Sequence, residues 1–121
     1  MKHTLKLHGI IVGHSELEHV ERGTGRAWGA FRPGLGYDLV QPVFRLFAQA
    51  LEPDGSGEQD ESKLDRYYKA RDALSLALTD ASGNQIPTSV IHIADFTVED
   101  GPSAIQLDVM IADESYWKQR A

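Results

Sequence analysis

Cysteine is absent from the chain, which excludes a disulfide framework, a thiol nucleophile and thiolate ligation of zinc or iron–sulfur clusters. Long apolar runs are missing too. The longest, such as Gly9-Ile10-Ile11-Val12-Gly13, reach five residues, far below the ~20 that a helix needs to cross a bilayer. Met1-Lys2-His3-Thr4-Leu5 carries a positive charge, but no apolar stretch of signal-peptide length follows it. The expectation is a cytoplasmic protein with no membrane contact.

A basic excess is likewise lacking. The formal net charge is −6, from 18 acidic and 12 basic residues, the wrong sign for a general nucleic-acid binder. The asymmetry is internal: residues 1–50 carry +2 and residues 51–121 carry −8. The acidic half is suited to a basic partner, although a solvated surface explains it as well. Catalytic signatures are also missing. There is no G-x-S-x-G elbow around Ser15, Ser75, Ser89 or Ser103, and no G-x-x-x-x-G-K-[ST] phosphate loop. These absences weigh against an enzyme, and no cofactor is predicted.

What is present is an ordinary globular composition. Of 121 residues, 41% are hydrophobic and 25% charged, enough for one core in a single domain over 1–121. Leu5, Leu7 and Ile11 alternate with Lys6, His8, Ile10 and Val12, which predicts one strand from about Thr4 to His14. Arg22-Gly23-Thr24-Gly25 is a turn, and Arg26 to Phe31 forms the second arm of a hairpin. Leu39, Val40, Val43, Phe44, Leu46, Phe47, Ala50 and Leu51 keep helical spacing, with Asp38 as N-cap and Pro42 in the first turn. Residues 53–61 form a flexible polar loop. A second helix starts at Ser62-Lys63-Leu64-Asp65 and runs to about Ala73. Strands then follow at Leu74–Leu78, at Val90–Thr97 after Ile86, and at Ile105–Ile111, where the alternation is cleanest. The predicted fold is α+β: a two-layer sandwich, with chain order β-β-α-α-β-β-β. It has an antiparallel sheet of about five strands and two helices on one face.

Three groups of residues invite a function. His8, His14, Glu16 and His92 offer imidazole and carboxylate, the donors that suit zinc, iron or nickel and that move protons. Their spacing matches no ligand motif, and exposed histidines on a polar sheet face account for them more simply. Arg22, Arg26 and Arg32 flank glycine turns whose amides can hold a small anion. Turn geometry alone also explains those glycines. Trp28, Met110, Tyr116 and Trp117 have the composition of an interface. A sheet face carrying Ser75, Ala77, His92, Ala94, Gln106, Asp108 and Met110 needs cover. The leading expectation is a small non-catalytic protein-interaction domain, a homodimer or the partner of another protein. A metal- or histidine-dependent enzyme and a small-anion binder are the alternatives.

Overall fold

The computed structural model describes residues 2–51 and 61–120. The chain runs β1 (His3–Leu7), β2 (Ile10–Ser15), β3 (His19–Glu21), β4 (Arg26–Pro33), a 3-10 helix (Leu35–Leu39), α1 (Gln41–Leu51) and α2 (Glu61–Asp72). It continues β5 (Leu76–Thr79), β6 (Gln85–Ile86), β7 (Val90–Asp95), α3 (Thr97–Asp100), β8 (Ile105–Met110) and α4 (Glu114–Arg120). The strands form one curled antiparallel sheet in the order β6-β5-β1-β2-β4-β8-β7, with β3 paired to β4 off that path. The α+β class stands. Among the described residues the sheet has eight strands rather than about five, and there are four α-helices and one 3-10 helix rather than two helices on one face. The expected loop at 53–61 lies almost wholly outside the described residues.

The extra strands have local causes. The predicted strand Thr4–His14 is a hairpin: His8 and Gly9 both have positive φ, 49° and 82°, as a two-residue primed turn requires. The register then slips, with Leu5 opposite Gly13 but Lys6 opposite Ile11. Val12 is the extra residue of this bulge. Bulges bend a strand and raise its twist, so Val12 and Gly13 are both buried while Ile10 and Ile11 are both exposed. A second break separates β2 from β3, where Leu17 has φ 44° and its amide donates to Ser15 Oγ at 3.1 Å. Glu18 bridges the gap by accepting from the Ala30 amide at 3.0 Å. These two interruptions curl what alternation alone describes as a flat layer.

Inside the curl lie Leu5, Phe31, Leu78, Ile91, Ile93, Ile105, Leu107 and Val109, all buried. α1 packs on β7, α2 and the 3-10 helix. Its stripe sends Phe44 fully into the core, where Tyr67 of α2 meets it edge-on at 6.2 Å. Asp38 is not an N-cap; it lies exposed within the 3-10 helix, and α1 begins after Val40. Ser62 likewise falls inside α2 rather than before it.

Candidate functional site

Strand register decides which predicted residues meet. His14 stands opposite Thr4 on one side and Arg32 on the other. Their inner-face neighbours are locked by burial: His3 lies opposite Ser15, and Ser15 opposite Phe31. A one-residue slip would expose that buried row, so the outer row is fixed as well. Thr4 Oγ1 and His14 Nδ1 share a hydrogen bond of 3.1 Å. Lys2, His14, Ser15, Glu16 and Arg32 line a cavity of about 130 Å³, and Arg32 sits 3.8 Å from the Glu16 carboxylate. Burial lowers the His14 pKa, and the charges of Lys2 and Arg32 lower it further.

The four candidate metal ligands do not converge. His8 occupies the exposed tip of the β1–β2 turn. His92 lies on β7, three strands from β2 in the sheet order, or about 14 Å along the sheet at ~4.8 Å per strand. Among the described residues no three His, Asp or Glu side chains are placed to hold a metal ion. Nor is His92 a solvated histidine of a polar face. Phe47 lies 4.5 Å from its ring and Tyr67 5.5 Å, both edge-on, and the Tyr67 hydroxyl is hydrogen-bonded to its Nδ1.

The three arginines diverge as well. Arg26 makes a forked contact with Asp108 on β8, at 2.6 to 3.1 Å, and its guanidinium lies 4.1 Å above the Trp28 ring. Arg32 turns to the His14 cavity. Arg22 lines an open groove of about 510 Å³ with Gly25, Ser89, Met110, Trp117 and Lys118.

Of the interface candidates, Trp28 is half-buried between Arg26 and His19, whose ring stacks on it at 5.5 Å. Met110 is half-buried at the end of β8. Tyr116 and Trp117 are 4% and 6% exposed. Trp117 Nε1 donates to the Ile111 carbonyl at 2.8 Å, and the Tyr116 hydroxyl is hydrogen-bonded to His3 Nε2 at 3.2 Å. The core of their own chain takes up both rings, so the interface expectation for these two is carried no further.

One surface escapes a residue-by-residue reading of the sequence. The 3-10 helix lies so close to β2 that a Cβ at Gly36 would meet the Ile11 carbonyl oxygen at 2.5 Å and Ile10 Cγ2 at 2.8 Å. Leu35, flanked by Gly34 and Gly36, is 101% exposed; Leu39 is 58%, Ile10 49% and Ile11 44%. Four large aliphatic side chains therefore surround one seam. The only signal in the sequence was the pair of glycines about Leu35, which reads equally well as a plain turn. Comparison with protein-family models, with curated proteins and with solved structures finds no match.

Proposed function

We propose that the protein is a non-catalytic protein-interaction domain that pairs with a second copy of itself through Ile10, Ile11, Leu35 and Leu39. The observation that carries this reading is the exposure of those four side chains along the β2 and 3-10 helix seam. Exposed apolar side chains gathered about one seam mark interaction sites, whereas an isolated exposed leucine means little. Close backbone packing holds the leucines on a defined platform, which limits the entropy lost on association.

A second copy fits the charges at the edge of the patch. Lys6 lies opposite Ile11 across the β1–β2 pair, and Asp38 lies between Leu35 and Leu39 in the helix. One charge of each sign beside an apolar centre lets a surface pair with its own two-fold mate. Sedimentation velocity on the parent chain and on Leu35→Asp tests this. The parent is expected to sediment as a dimer and the variant as a monomer with a native circular-dichroism spectrum and a melting temperature that no longer depends on concentration. A parent chain that stays monomeric at its highest soluble concentration overturns the reading.

A further inference from the structure

We propose that the outer face where β1, β2 and β4 lie side by side binds a phosphate group, as the free ion or as a monoester terminus, in the cavity bounded by Lys2, His14 and Arg32. This site is separate from the aliphatic patch and goes beyond the interaction reading. Its parts come from three strands whose register is fixed by what lies beneath them. Thr4, His14 and Arg32 form one cross-strand row. Lys2 and Glu16 come from just beyond the ends of β1 and β2, and the cavity opens between them.

Size selects the ligand first. Pockets for drug-sized molecules measure roughly 300–1,000 Å³; at about 130 Å³ this one admits a tetrahedral oxyanion but not a sugar or a base. Charge selects next. Lys2 and Arg32 stand against the single carboxylate of Glu16, and His14 becomes a third cation when it takes a proton. The protonated site then has a net charge of +2, the match for a phosphate dianion.

The donors are available. Arg32 is 72% exposed in its side chain, and Glu16 lies beyond hydrogen-bond length at 3.8 Å. An exposed pair this long holds the guanidinium weakly, so it is able to turn to a ligand. The bond to Thr4 occupies His14 Nδ1, which leaves Nε2 for an anion. Both cations already act on His14: they help lower its pKa, behind burial. Charges near enough to oppose a proton on His14 are near enough to share an anion with it. Among the described residues, the groups that line the cavity with His14 are Lys2 just before β1, Ser15 at the end of β2, Glu16 just after it, and Arg32 on β4.

An NMR pH titration of the histidine Cε1–H signals tests the site, with inorganic phosphate against chloride at equal ionic strength. Phosphate is expected to raise the His14 midpoint by about one unit. Arg32→Gln and Lys2→Gln should each abolish that rise, and Glu16→Gln should tighten phosphate binding several-fold. Glycerol phosphate separates the two sources: a rise with both ligands assigns the phosphoryl group, and a rise with phosphate alone assigns the free ion. No rise in the parent chain overturns the proposal. So does a rise that survives Arg32→Gln in a variant whose amide spectrum shows the native fold. Because dimerisation is read separately by sedimentation, failure of this site leaves the interaction reading untouched.

Discussion

The hydroxyl of Tyr67 on α2 is hydrogen-bonded to Nδ1 of His92 on β7. The rings of Phe44, Phe47 and Tyr67 surround the imidazole at 4.5 to 6.5 Å. Such surroundings cannot solvate an imidazolium. Burial therefore lowers the His92 pKa to about 4; Arg71 adds to the fall and Asp108 opposes it. The phenol is held neutral for the same reason, since burial raises the Tyr67 pKa well above its ordinary value.

Acid should act on this contact first. Unfolded, His92 titrates near 6.5, so between about pH 6.5 and 4 the unfolded chain takes a proton that the folded chain refuses. Stability then falls as pH drops through that window, by at most about 3 kcal/mol, and the loss is complete below about pH 4. Urea midpoints near pH 7 and near pH 5 should differ clearly in the parent chain and much less in His92→Gln. Equal slopes for the two would place the acid sensitivity elsewhere.

Periodicity made β8 legible because Ile105, Leu107 and Val109 face a buried interior while Gln106 and Asp108 do not. The first strand misled for the same reason. Both arms of the β1–β2 hairpin carry aliphatic residues, and the turn between them is His8-Gly9 rather than the Asn-Gly or Asp-Gly that announces a primed turn. His92 looked solvent-facing because its neighbours in sequence alternate. Its cover comes from Phe44 and Phe47 of α1 and Tyr67 of α2, 25 residues or more away in the chain. The candidate site was half legible. His14, Glu16 and Arg32 were each singled out, but for two different chemistries, and only the β1–β2–β4 register shows that they share one cavity with Lys2.

Asp95 should be among the costliest side chains to remove. It is fully buried and accepts from the Tyr37 hydroxyl at 2.6 Å, from Thr97 Oγ1 at 2.6 Å and from the Thr97 amide at 3.0 Å. Burial alone would raise its pKa. The hydrogen bonds from Thr97, Tyr37 and Gln41 outweigh that and leave it lowered. Asp95→Ala strands those donors and should cost about 3 kcal/mol or more, a fall in melting temperature of roughly 10 °C. Asp100→Ala, at an exposed site at the end of α3, should change little. Calorimetry on both variants checks the contrast.

Gly29 and Gly23 offer a matched pair. A Cβ at Gly29 would sit 2.8 Å from the Glu18 amide nitrogen and closer still to its carboxylate, whereas at Gly23 it would meet nothing within 4 Å. Gly29→Ala therefore pushes Glu18 off the Ala30 amide and opens the bridge between β2 and β3, for about 2 kcal/mol. Gly23→Ala should be near neutral. Equal melting temperatures for the two variants would mean that Glu18 does not close that gap.

The turn at His8 and Gly9 gives a test in the stabilising direction. His8 holds φ 49° with its side chain exposed, so the protein bears the strain of a left-handed residue there. Asparagine tolerates that region better than histidine and is the preferred first residue of this turn. His8→Asn should raise stability by about 0.5 kcal/mol, and Gly9→Ala should lower it by about 1 kcal/mol, because φ 82° suits glycine alone. Denaturant midpoints give both signs. If His8→Asn is instead destabilising, the imidazole at the hairpin tip makes an interaction that outweighs its backbone strain, and His8 belongs to a site rather than to a turn.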